Sequence, residues 1–433
     1  MKKFFEFEKF HTTYRTEIIA GITTFLTMAY IIIVNPAILE AAGIPKGAST
    51  TATILSAAFG TFIMGVLARR PFAIAPYMGE NAFIAFTVVK VLGYSWQVAL
   101  GAIFISGIIF TILTLLGIRG LLAKSIPASL KISFAVGIGL FLTFIGLNEV
   151  GIVALGVPGA PVNLGNIGHT STLLAIAGFI LMAVLSVRRV PGALIIGILM
   201  VTAASILLGI TPLPAAIVSL PPSISPIFAH LDIAGALSFK MLPVVLVIFI
   251  MAFVDTIGTL FGLSSRAGFL DAKGNLPDIE RPMLVDALAN IAAPIFGTTT
   301  SGAYIESASG IEEGGRTGFV SVVVAALFLL ALFFTPILTI TPAHAYGPVL
   351  ILIGCFMLKP VTQIDFNDLT ELIPAFITIS LISFSYNIGV GMTAGLITYP
   401  LIKLLTGRVK EVPPGLWVLA ALSAVFFVVY PYR

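Results

Sequence analysis

The sequence predicts an all-α polytopic membrane protein, and three observations carry that prediction. Of its 433 residues, 58% are hydrophobic and 10% charged, and the mean hydropathy of +1.10 is far above that of a water-soluble domain of this size. Apolar segments of spanning length, about 17 to 25 residues, recur along the whole chain. Lys and Arg gather at every second break between them, as the inside-positive bias of short membrane loops requires.

Residues 1–16 interleave Lys2, Lys3, Lys9 and Arg15 with Phe4, Phe5, Phe7 and Phe10. No short apolar core with a small-residue cleavage site follows, so this stretch reads as an amphipathic cytoplasmic segment on the bilayer surface or as a solvated N-terminal tail. Spans are then expected near 17–40, 49–68, 72–92, 95–117, 128–148, 171–188, 191–211, 239–264, 281–296, 297–313, 315–338, 343–359, 369–386 and 387–406, fourteen in all. A further apolar stretch, Gly415 to Tyr430, reads as an extra terminal span or an interfacial helix. Cys355 lies in an apolar run and reads as a small buried residue, with no disulfide framework around it.

Charge placement tests the count independently. Arg69 and Arg70 follow span two, Arg119 and Lys124 span four, Arg188 and Arg189 span six, and Arg266, Lys273 and Arg281 span eight. Arg316 follows span ten, Lys359 span twelve, and Lys403, Arg408 and Lys410 end or follow span fourteen. The intervening loops, including Gly151–Thr170 and Thr211–Ser238, carry little beyond Lys46, Lys90 and Lys240, so the amino terminus is expected inside. The pI near 9.1 and formal charge of +4 arise from these scattered helix ends, which form no dense basic patch for nucleic acid.

Laying the second half on the first gives a weak match at an offset of roughly 215 to 225 residues, the mark of a duplicated transporter. Pro127-Ala128-Ser129 with Gly137-Ile138-Gly139-Leu140-Phe141 resembles Pro342-Ala343-His344 with Leu352-Ile353-Gly354-Cys355-Phe356, and Met28-Ala29-Tyr30 resembles Met251-Ala252-Phe253. Seven spans per unit is odd, so the two repeats would be inverted, over 17–211 and 239–406, with 212–238 as an extracytoplasmic linker and 407–433 as a C-terminal segment.

Spans three and ten begin like membrane helices and then turn glycine- and hydroxyl-rich, at Ala75-Pro76-Tyr77-Met78-Gly79-Glu80-Asn81-Ala82 and at Thr298-Thr299-Thr300-Ser301-Gly302-Ala303-Tyr304-Ile305-Glu306-Ser307-Ala308-Ser309-Gly310. Both read as interrupted helices, and a break at depth is tolerated only where the freed backbone groups face protein or a polar cavity. Two such breaks at matching places in inverted repeats point to a midplane binding site. Three carboxylates sit in these apolar surroundings, Glu80, Asp255 and Glu306, and each costs several kcal/mol there without a partner or a cavity. A planar, hydrogen-bonding small molecule suits such a lining, with Glu306 as its main acceptor. Asp255, flanked by hydroxyls, is the second candidate, and Glu80 is either a binding group or, with Asn81 binding, a support or a salt-bridge partner. Tyr77, Phe83, Phe253 and Tyr304 are aromatic neighbours able to stack on such a ligand. Desolvated carboxylates also take up and release protons, which makes Glu306 and Asp255 candidates for proton coupling. Asp286 and Asn290 read as core stabilisers, and Glu312 and Glu313 as solvated groups beside Arg316.

No Walker motif, nucleophile elbow, HExxH or Cys/His cluster occurs, and His11, His169, His230 and His344 are scattered. Neither ATP-driven transport nor catalysis is supported, and no metal or cofactor is expected. Anion transport is disfavoured, because a carboxylate-lined pocket repels anions.

The first span from Gly21-Ile22-Thr23-Thr24-Phe25-Leu26-Thr27-Met28-Ala29-Tyr30 through Asn35-Pro36, with Met78-Gly79-Glu80-Asn81-Ala82, Asp255-Thr256-Ile257-Gly258-Thr259, Tyr304-Ile305-Glu306-Ser307-Ala308-Ser309-Gly310 and Gly314-Gly315-Arg316-Thr317-Gly318, resembles the AzgA-like purine permeases of the nucleobase–cation symporter family, within the xanthine/uracil/vitamin C permease superfamily. The resemblance spans nearly the whole chain. It implies fourteen spans in two inverted sevens, with a core domain of 17–117 plus 239–338, a gate domain of 128–211 plus 343–406, and short strands in the broken spans three and ten. It implies a plasma-membrane importer of adenine, guanine or hypoxanthine, driven by H+, with Na+ as the alternative, working as an elevator and often as a homodimer. Carried over by position, Glu306 becomes the main purine-binding carboxylate, Gly79 and Asn81 the contribution of span three, and Asp255 a required residue of span eight, with Thr300, Ser301, Ala303 and Tyr304 lining the second break. Ala252 stands where such permeases commonly carry a further Asp, which puts purine preference or coupling in question.

Overall fold

A computed structural model describes residues 1–117, 125–157, 160–271 and 276–429. Arg119, Lys124, Lys273 and Tyr430, used in the sequence reading, lie outside the described residues. The chain begins with α1 Tyr14–Met28, α2 Ile31–Ala41, α3 Lys46–Ile63, β1 Ile74–Pro76, α4 Met78–Ala82 and α5 Trp96–Leu115. It continues through α6 Ala128–Glu149, β2 Val153–Val157, β3 Ala160–Leu164, α7 Thr170–Val187, α8 Ala193–Leu207 and α9 Ile233–Ala236. Then follow α10 Leu242–Ala267, α11 Glu280–Phe296, β4 Ser301–Ala303, α12 Ser307–Glu312, α13 Gly318–Ala331 and α14 Thr335–Thr339. The last four helices are α15 Ala343–Leu358, α16 Leu369–Phe384, α17 Ile388–Leu405 and α18 Pro414–Val429.

Helices dominate because a chain this apolar must satisfy its backbone groups within each segment once water is absent. Among the described residues, nine helical stretches are long and apolar enough to cross a membrane, and Ala193–Leu207, Leu369–Phe384 and Pro414–Val428 are shorter apolar helices. Side chains start several of them: Thr13, Ser95, Asp368 and Asn387 each accept from a backbone N–H in the first turn of α1, α5, α16 and α17. Pro127 and Pro342, paired in the repeat alignment, stand immediately before α6 and α15, and those two helices pack on each other.

The helices sort into two packing groups. α3 packs on α2, α11 and α13, α5 on α10 and α11, and α1 on α12 and α13. In the other group α6 packs on α15 and α16, α16 on α17, and α15 on α7 and α8. The groups meet where α4 touches α6, α2 touches α15, α1 touches α8 and α10 touches α17. Between the halves of the chain, β1 and β4 pair antiparallel, with Ile74 opposite Ala303, Ala75 opposite Gly302 and Pro76 opposite Ser301. The short α4 runs on as a π-helical stretch, Phe83–Val91.

Several details differ from the sequence reading. The first span is broken at Ala29-Tyr30 between α1 and α2, while its proposed counterpart Met251-Ala252-Phe253 lies inside the continuous α10. The loop Gly151–Thr170 contains a β2–β3 hairpin whose Leu155 and Leu164 point outward, an element no apolar-span count registers. Cys355 is exposed on the outer face of α15, where an apolar side chain suits a lipid-facing surface as well as a buried one. Residues 2–11 form turns, and Phe5 and Phe7 are buried against the protein with their rings edge-on to Phe319. Glu312 pairs with Arg266 at 2.6 Å, whereas Arg316 turns to the carbonyls of Ile311 and Gly315. The buried Glu17 accepts from the Arg316 and Thr317 backbone N–H groups and from Thr317 Oγ1, which ties α1 to the start of α13.

Candidate functional site

The two strands are too short to be a sheet with its own core, so their stability comes from what surrounds them. Tyr77 N donates to Thr300 O and Tyr304 N to Ala73 O, each at 2.9 Å, extending the ladder by one bond at either end. Behind it stands a layer of buried polar groups. Asp286 Oδ2 on α11 accepts from Thr256 Oγ1 at 2.8 Å, Ala303 N at 3.3 Å and Tyr77 Oη at 3.3 Å. Asn290, one turn on, accepts from Ser301 N at 3.0 Å, and Ser301 Oγ lies 3.0 Å from Ser56 Oγ. Asn81 accepts from Thr299 Oγ1. A side chain at Gly302 would overlap the Tyr77 ring, so only glycine lets that ring lie over the strand. There the Tyr77 and Tyr304 rings lie parallel, 9° apart in plane with centroids 6.3 Å apart, and Tyr304 Oη donates to Pro76 O.

In front of the strands is a cavity of about 170 Å³ lined by Tyr30, Tyr77, Met78, Gly79, Asp255, Thr259, Ala303, Tyr304, Ile305, Glu306, Ile353 and Met357. A second space of about 360 Å³ adjoins it through Asp255, Thr259, Ile305 and Met357, and reaches Phe253, Lys131 and Pro360. Glu306 is half-buried, and its Oε1 accepts a 2.6 Å hydrogen bond from Tyr30 Oη. That bond fixes the carboxylate on the cavity wall that it shares with Tyr77 and Tyr304.

Of the residues named from sequence, Glu306, Asp255, Gly79, Ala303, Tyr304 and Tyr77 come together on this cavity wall. Glu80, Asn81, Phe83, Thr300 and Ser301 are buried behind it, and Phe253 lines the adjoining space. Sequence reasoning did not assign Tyr30 to the site. The signal was a first apolar stretch of 28 residues, Tyr14–Ala41, longer than one membrane crossing needs. Asp286 is a carboxylate in an apolar helix, the criterion that singled out Glu80, and its placement directly behind β4 makes it a support of the site as well as of the core.

The Permease family model matches residues 15–397. The chain belongs to this family. A putative permease of Methanocaldococcus jannaschii is 49% identical over 428 residues, 99% of this chain and 98% of the relative. The guanine/hypoxanthine permease PbuG of Bacillus subtilis is 40% identical over 439 residues, covering 99% of each chain, and the adenine permease AdeP of Escherichia coli is 39% identical over 422 residues, 98% of this chain and 94% of the relative. Among solved structures, the transmembrane domain of the cyanobacterial bicarbonate transporter BicA superposes with a TM-score of 0.65 at 16% identity, over 88% of this permease and 97% of that domain, a likeness of fold. This permease is a multi-pass membrane transporter and not an enzyme.

Proposed function

We propose that this permease imports purine nucleobases across the plasma membrane by cation symport, with H+ as the coupling ion. The observation that carries the reading is the Glu306 carboxylate, held by Tyr30 at the cavity beside the stacked Tyr77 and Tyr304. A purine is planar, presents N–H donors along one edge, and has a face suited to an aromatic wall; Glu306 accepts from the edge and the tyrosines meet the face. The activities for which PbuG and AdeP are named, guanine/hypoxanthine and adenine transport, support the same substrate class. Asp255, Gly79, Ala303 and Tyr304 complete the contact surface, and Glu80, Asn81, Phe83, Thr300 and Ser301 act on the substrate through it. Glu306 and Asp255 are the groups proposed to exchange protons with the cavity.

The architecture that goes with this reading has fourteen spans in two inverted sevens, the amino terminus in the cytoplasm and a homodimeric assembly. The core domain, 17–117 plus 239–338, carries the site and slides as an elevator against the gate domain, 128–211 plus 343–406. The two packing groups of helices support that division. So does the meeting of α4 with α6, where a Cβ at Gly79 would lie 2.7 Å from Ile138 Cγ2, a contact only a bare backbone slides past.

The test is uptake into proteoliposomes of adenine, guanine, hypoxanthine, xanthine and uracil, with and without an imposed pH gradient and with Na+ replaced. Gradient-driven purine accumulation is the expected result. Bicarbonate or sulfate flux without purine flux would overturn the reading, and accumulation that follows Na+ would change the coupling ion.

A further inference from the structure

Glu80 is fully buried, and neither of its carboxyl oxygens takes a hydrogen bond from another residue's N–H or O–H group among the described residues. Its neighbour is another acid: α10 packs on α4 and brings the side chain of Asp255 beside that of Glu80. Two carboxylates side by side in an apolar interior repel each other, and neither can donate to the other while both are ionised. A single proton shared by the pair supplies the donor and removes one charge. The two acids differ in access, because Asp255 lines both cavities and Glu80 lines neither.

The ionisable groups that interact with Glu80 are Asp255 and the phenols of Tyr77, at the head of α4, and Tyr304, beyond β4. The other elements packed on α4, which are α2, α6 and Phe83–Val91, carry their charged residues toward their ends, at Glu40, Lys131, Glu149 and Lys90.

We propose that Glu80 and Asp255 form a one-proton carboxyl pair that is the coupling site of this permease. The inference rests on the transport reading above and deepens it. A proton enters from cavity water onto Asp255, is held between the two acids, and leaves to water by the same route when the cavity opens on the other side. Substrate in the cavity covers Asp255 and removes that water, so proton and substrate travel together, one for one. In this refinement the proton-exchange role given above to Glu306 passes to Glu80, and Glu306, already engaged by Tyr30, binds the substrate.

Two measurements on the full-length permease test this. Infrared spectroscopy of the substrate-free protein at neutral pH is expected to show the carbonyl stretch of one protonated carboxylic acid that is lost or shifted in both Glu80→Gln and Asp255→Asn. In proteoliposomes, one proton per substrate allows about tenfold accumulation per unit of pH gradient; in Glu80→Gln this is expected to fall to simple equilibration. Wild-type-like accumulation by Glu80→Gln, or a wild-type spectrum with no protonated carboxyl sensitive to these positions, would overturn the proposal. Should Glu80→Gln fail to fold, Asp255→Asn and the wild-type spectrum decide it. If the wild type moves no purine, the transport reading fails on its own and the infrared result still decides whether the pair holds a proton.

Discussion

Replacing Glu306 with Gln asks the sharpest question of the site. The Tyr30 bond at 2.6 Å uses Oε1, which leaves the second oxygen to accept a substrate N–H. The glutamine side chain of Glu306→Gln would keep its carbonyl toward Tyr30 and turn an NH2 group, a donor, to the place where the substrate also presents a donor. A hydrogen bond to a charged group contributes about 1.5–3 kcal/mol, which converts at about 1.4 kcal/mol per decade to a 10- to 150-fold rise in Kd. The opposed donors push the loss toward the upper end of that range. Isothermal titration of purified Glu306→Gln with hypoxanthine or adenine reads the change, and a thermal melt alongside it confirms that the variant is folded. A Kd within about threefold of wild type, in a variant that melts like wild type, would refute the assignment of Glu306 as the acceptor.

Tyr30→Phe removes the donor that aims Glu306, so purine affinity should fall roughly tenfold, a charge-assisted bond at the low end, and the double variant with Glu306→Gln should lose little more than Glu306→Gln alone. Asp286→Ala strands the Thr256 hydroxyl and the Ala303 N–H, at about 1–3 kcal/mol each, so both melting temperature and binding should drop, while Asp286→Asn should lose less. Gly302→Ala drives a methyl into the Tyr77 ring, an overpacking cost of about 1–3 kcal/mol, and should weaken purine binding by displacing that ring. Outside the membrane, the Thr370 hydroxyl and N–H together with Arg408 hold the Asp368 carboxyl down to about 2. Its ionised form therefore stabilises the fold above the ordinary value of 3.8, and that contribution is lost as pH falls toward about 2. The melting-temperature gap between wild type and Asp368→Asn should accordingly be widest at neutral pH and close on acidification.

The parts of this protein legible in the sequence are those that membrane burial makes expensive. Apolar length marks the helices, because every backbone group in lipid needs an internal partner. Charge in an apolar run marks Glu306 and Asp255, because a carboxylate there must face a cavity or a partner, and both line one. Side-chain geometry across the fold is not written in local pattern. Tyr30 is one aromatic among many in the sequence, and its bond to Glu306 spans two segments far apart in the chain. Asp286 reads as a core residue because nothing in its own helix announces that β4, a separate segment, donates to it. The Gly151–Thr170 hairpin escapes for a simpler reason: its strands are five residues each, far short of a span, and no residue of either strand is fully buried, so no core face marks them in the sequence.

The pairing of Ile74–Pro76 with Ser301–Ala303 has a consequence for biogenesis. A ribosome delivers the first strand long before its mate, and until then an open edge of peptide groups sits among apolar helices, where lipid offers it nothing to bond. The amino-terminal half is thus a poor stopping point during synthesis, and its ligand pocket comes into being only when the last of the two segments arrives.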